Sequence, residues 1–86
     1  MSLNNYRDEA GRFLEAIRAT DEPVEKKIKM LQHELDILKA SVHDSDTVSH
    51  QVHDLLFLLF EIASQYDIDL EVEWLAGQSR KKQKYL

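Results

Sequence analysis

Apolar residues between Val48 and Ile68 fall at positions 48, 52, 55, 56, 59, 62, 63 and 66. That spacing is one face of a helix. Within it, Leu55 to Phe60 are six apolar residues in a row. Six consecutive positions go all the way round a helix, so the pattern predicts a central helix covered on nearly every side. The run is too short to cross a bilayer, which takes about 20 apolar residues.

Three further patterns flank it. Tyr6, Ala10, Phe13, Leu14 and Ile17 predict a first helix near 5–19, capped by Asn4 or Asn5. Asp8 and Arg12 are spaced as an i,i+4 pair on its wet side. Thr20 to Pro23 break the chain, and proline suits the first turn of a new helix. Val24, Ile28, Leu31, Leu35, Leu38 and Val42 then alternate steps of four and three, the seam of a bundle, over a helix near 23–42. Glu22 with Lys26 and Glu25 with Lys29 support its outer face. His43 to Asp46 form a polar loop, with Ser45, Asp46 or Thr47 as candidate caps of the central helix near 47–66. Asp69 is placed to cap a last helix near 70–83, anchored by Leu70, Trp74 and Leu75. The expected fold is therefore an all-α four-helix bundle in a single domain spanning 1–86.

Size changes that picture. A chain of 86 residues buries only about 60 to 65% of its unfolded surface, so a lone core is marginal. Oligomerisation is a common remedy. Leu55, Leu56, Phe57, Leu59 and Phe60 are the expected interface, in a homodimer or higher oligomer assembled through the second and third helices. There is no cysteine, which excludes disulfides and thiolate chemistry. No signal peptide or membrane anchor is visible, and the cytoplasm is the expected compartment.

Charge is uneven. The net charge is −5, yet Arg80, Lys81, Lys82 and Lys84 lie in the last seven residues. Setting those four aside leaves seven basic against sixteen acidic residues, a net of −9. An acidic body argues against a nucleic-acid surface. The basic tip can meet a phosphate through Lys81, Lys82 and Lys84, or simply complement the negative end of its helix.

Candidate chemistry gathers on two helices. His50, Asp54, Phe57 and Glu61 form one row on the third helix, flanked by Gln51 and His53. Glu34 sits beside the apolar seam of the second, next to His33. Glu34 and Asp54 are each ten residues from Asp44 in the loop, so an antiparallel hairpin places them opposite one another. Facing carboxylates repel unless a cation or a proton lies between them. Glu34, Asp54, His33 and His50 are thus the candidate metal ligands, for Mg²⁺ through the carboxylates or for another divalent metal if imidazoles take part. The plainer alternatives are that Glu34 pairs with a lysine or reaches solvent, and that Asp54 bonds His50 or is simply exposed.

Asp54-Leu-Leu-Phe-Leu-Leu-Phe-Glu-Ile-Ala-Ser-Gln-Tyr-Asp-Ile-Asp-Leu70, with the basic ending Lys84-Tyr85, resembles the MazG-type all-α nucleoside triphosphate pyrophosphohydrolases. The phosphoribosyl-ATP pyrophosphatases are more distant relatives. The resemblance covers about two-thirds of the chain, from Val24 to Tyr85. It implies the family's fold, a nucleotide ligand and Mg²⁺ held by a Glu-Glu-x-x-Glu motif on one helix and Glu-x-x-Asp on the next. Here the first motif falls on His33-Glu34-Leu35-Asp36-Ile37 and the second on Gln51-Val52-His53-Asp54. Only Glu34 and Asp54 match. His33, Ile37 and Gln51 stand where the resemblance implies glutamates. Two readings follow: a pyrophosphohydrolase fold with an eroded Mg²⁺–carboxylate site, or a non-catalytic helical interaction or regulatory module.

Overall fold

The computed structural model describes residues 2–86. They form four helices, α1 (Leu3–Ala16), α2 (Val24–Ala40), α3 (Ser45–Gln65) and α4 (Leu70–Tyr85), with no strand among the described residues. The expected all-helical chain of four helices is what folds. Several boundaries differ from the expected ones, for local reasons.

α1 starts at Leu3 because Ser2, rather than Asn4 or Asn5, caps it, its Oγ accepting the Asn5 N–H at 3.1 Å. It stops at Ala16, three residues early. Arg18 adopts left-handed backbone (φ 57°), and the Ala19 N–H reaches back to the Leu14 carbonyl at 2.8 Å. That is a Schellman ending, with Ala19 as its buried apolar residue. α3 ends the same way. Asp67 is left-handed (φ 52°) and the Ile68 N–H donates to the Ala63 carbonyl at 2.9 Å. α2 ends at Ala40, where the Ser41 hydroxyl donates to the Ile37 carbonyl at 2.7 Å. α3 starts at Ser45, capped by Asp44 instead of Ser45, Asp46 or Thr47, and the Thr47 hydroxyl donates to Asp44 at 2.8 Å. Asp69 caps α4 as expected, accepting the Val72 N–H at 3.2 Å, and α4 runs on to Tyr85.

α3 is the central helix, with α1 and α2 packed on it. The α1 contact carries two aromatic pairs. Tyr6 stacks on Phe60 with centroids 5.6 Å apart, and Phe13 meets Phe57 edge-on at 5.3 Å. Gly11 lies where α1 crosses α3. A side chain there would run into the Ser64 hydroxyl, so the glycine that weakens the helix is what permits the close approach. Ala10, Leu14, Leu58 and Ala63 fill the small core.

α4 packs chiefly on α1, and the first residues of the chain hold it. The Asn4 carboxamide accepts the Leu70 N–H at 2.7 Å and donates to Asp69 at 3.1 Å, while the Asn4 N–H donates to the Glu71 carboxylate at 3.1 Å. Arg7 donates to the Ile68 carbonyl at 2.7 Å. Its guanidinium also takes Asp8, at 2.9 Å, the partner that spacing alone assigned to Arg12. The radius of gyration is 14.6 Å, above the roughly 12 Å of a compact chain of this length, because α4 projects from the other three helices.

Candidate functional site

α2 and α3 are joined by the short Ser41–Asp44 turn and run antiparallel. That brings Glu34 and Asp54 onto one groove of about 420 Å³, whose apolar walls are Phe13, Met30, Phe57 and Leu58. The two carboxylates do not share a partner. The Gln51 Nε2 donates to the Glu34 carboxylate at 2.6 Å and to the Glu34 backbone carbonyl at 3.1 Å. Gln51 is buried, so this bond satisfies both a buried amide and the carboxylate beside the seam. Neither a lysine nor a solvent-facing position accounts for Glu34. Asp54 is exposed and lies 3.0 Å from Nδ1 of its neighbour His53, not against His50. The His53 ring in turn tilts over Phe57.

His33 and His50 are exposed and do not line the groove. Among the described residues, no three of His, Asp and Glu stand close enough to hold a metal ion together. The donor set suits Mg²⁺ poorly. Ile37 offers no ligand, and Gln51 presents its N–H to Glu34, so its amide is turned as a donor. A hard cation wants several anionic oxygens.

The basic residues lie elsewhere. Lys81 and Lys84 border a shallow furrow along α4, between Trp74 and Tyr85, and Lys84 stands 5.3 Å over the Tyr85 ring. Lys82 is exposed and outside it. None of the three lines the Glu34–Asp54 groove.

A charged cluster that residue spacing alone does not reveal lies at the other end of α2. Lys27 is 2% exposed and Glu61 6%. Lys27 Nζ sits 3.4 Å from Glu61 and 3.9 Å from Glu22. Burial pushes the Glu61 carboxyl above its ordinary value, and the Lys27 charge opposes that rise. Gln65 donates to the Glu22 carbonyl at 2.9 Å, so the cluster pins the α1–α2 loop to α3. The available signal was positional: Lys27 lies three residues after Val24 and four before Leu31, on the inward side of the α2 seam.

The apolar belt divides its work. Leu58 is buried, Phe57 and Phe60 meet α1, and Leu55 is half-buried. Leu56 and Leu59 face outwards, together with Val52 on α3, Ile28 and Leu35 on α2 and Val42 in the turn that follows it, all between 44 and 62% exposed. Among the described residues, no helix is long and apolar enough to cross a membrane. Comparisons with protein-family models, with curated proteins and with solved structures found no match to this chain.

Proposed function

We propose that the chain is a non-catalytic helical interaction module that works by being bound along its α2–α3 hairpin. The observation that carries this reading is the outward face of Ile28, Leu35, Val42, Val52, Leu56 and Leu59. Apolar residues exposed singly need no explanation; six on one hairpin do. The engagement of Glu34 by the Gln51 amide, with Asp54 taken up by its neighbour His53 instead of by Glu34's partner, supports the same reading from the chemical side.

One observation favours a second reading. Glu34 and Asp54 do border a common groove, the placement implied by the resemblance to MazG-type pyrophosphohydrolases. On that reading the groove holds a nucleoside triphosphate with a divalent cation, and the eroded site turns it over weakly or not at all.

Incubation of the pure protein with nucleoside triphosphates and Mg²⁺ or Mn²⁺, followed both for bound nucleotide and for released pyrophosphate, separates the two, since the interaction module binds no nucleotide in the groove. The interaction module releases no pyrophosphate above a buffer blank. Release that disappears in both Glu34→Gln and Asp54→Asn would overturn it in favour of the enzyme.

A further inference from the structure

We propose that a second copy of this chain covers the Ile28–Leu35–Leu56–Leu59 face, so that two α2–α3 hairpins close into an intermolecular four-helix bundle. The inference rests on reading the chain as an interaction module, and names its partner.

The outward residues form one continuous surface. Lys27 and Glu34 on α2, and Gln51 and Leu58 on α3, are buried or half-buried, and Lys27 and Glu34 reach across to Glu61 and Gln51. Ile28, Leu35, Val52 and Leu59 each come one position later. One position turns a right-handed helix by about 100°. On two antiparallel helices that turn leads away from their contact to the same side of the pair. The groove that holds Glu34 and Asp54 is on the opposite side, where α1 packs.

Three observations select a second copy as the occupant. Steps of four and three along the outward residues run through Ile28, Gln32, Leu35, Lys39 and Val42, and on α3 from Ser45 to Ala63, with Lys39 as the one charged residue among them. A two-fold operation sets a face against itself, and the Ile28–Leu35–Leu56–Leu59 centre of this one carries no charge to repel its copy. Over the rest of the surface, a net charge of −5 holds copies apart. The same steps of four and three are the seam of a helix bundle, and here the seam is only half covered. Finally, the chain exposes 6724 Å², where a folded monomer of its mass exposes about 5,300 Å². Even shared with the projecting α4, that excess can supply the roughly 800 Å² that each partner of a stable complex buries.

Sedimentation equilibrium at micromolar concentration tests this. The expected mass is about 20 kDa, twice the 10.1 kDa chain. Leu35→Glu and Leu56→Glu should each raise the dissociation constant at least about 100-fold while leaving the helical circular dichroism in place, since each sets a carboxylate into a dry contact. The chain has no cysteine, so Leu56→Cys or Leu35→Cys, near the middle of the face, should cross-link copies under mild oxidant, and Glu9→Cys on α1 should not. A single-chain mass for the unmodified protein overturns the proposal. So does a dimer that survives both glutamate variants; the chain would then assemble through another face and remain an interaction module. Pyrophosphate release dependent on Glu34 and Asp54 would instead remove the reading on which the proposal rests, without changing the mass.

Discussion

Lys27 and Glu61 face one another across the α2–α3 contact, Nζ 3.4 Å from Oε2, and both are almost wholly out of water. An ion pair in that setting gains little over a well-packed apolar pair, yet breaking it from one side is costly. Lys27→Met should therefore destabilise the fold by about 3–5 kcal/mol, because Glu61 is left buried without its nearest cation. Lys27→Met combined with Glu61→Leu should recover most of that loss. Urea unfolding of the two single variants and the double variant measures the difference.

Acid acts on this protein in two opposite directions. The folded-state pKa of Glu61 is raised above its ordinary 4.5 by burial, so the folded chain takes up that proton before the unfolded one does. Its contribution to stability therefore grows as the pH falls from the raised value towards 4.5. Asp44 and Asp69 are held below their ordinary 3.8, Asp44 chiefly by the Thr47 hydroxyl and Asp69 chiefly by the Asn4 amide. Their contribution is present above 3.8 and disappears as the pH falls through their lowered values. The thermal midpoint should hold or rise on acidification to about pH 4.5 and drop below about pH 4. Glu61→Gln should remove the gain on the upper branch and leave the lower one, as followed by circular dichroism.

Gln51→Glu sets a second carboxylate where an amide now meets Glu34 at 2.6 Å. Without divalent metal at neutral pH it should cost about 1–3 kcal/mol, since a satisfied buried contact becomes a like-charge one. Millimolar Mg²⁺ or Mn²⁺ should restore part of the loss by occupying the space between the carboxylates. Thermal unfolding with and without EDTA reads both effects. The unmodified protein should show no comparable metal dependence.

Gly11 separates helix propensity from packing. Gly11→Leu drives a branched side chain into α3 at Ser64 and should cost about 1–3 kcal/mol by overpacking. Gly11→Ala meets only a hydroxyl that can swing aside, so the roughly 1 kcal/mol gained in helix propensity should offset the displacement. Adding Ser64→Ala should turn that balance into a net gain. Urea midpoints of these three variants order the two effects.

The four helices and the central place of α3 were legible in the sequence, because periodic apolar residues report which faces must leave water. The Asp69 cap was legible too, since a short acidic side chain just before an apolar residue has few other uses. The early end of α1 was not. A Schellman turn ordinarily advertises itself with glycine, and here Arg18 and Asp67 take the left-handed position. Counting residues from the loop brought Glu34 and Asp54 to one groove, but it could not say which side chain would take hold of Glu34. That depends on a rotation of α3 by less than a turn, which selects Gln51. Lys27 was hidden for another reason. A lysine reads as solvated until the carboxylate that neutralises it, thirty-four positions later, is seen beside it.

Asn4 holds on to Asp69, Leu70 and Glu71, so residues near the start of the chain depend on others made far later. During synthesis α2 and α3 can close their turn as soon as both have emerged, since their contacts are local. α1 has no such neighbour. Phe13 must wait until Phe57 has left the ribosome, and the hydrogen bonds from Asn4 to Asp69, Leu70 and Glu71 can form only after α4 has followed.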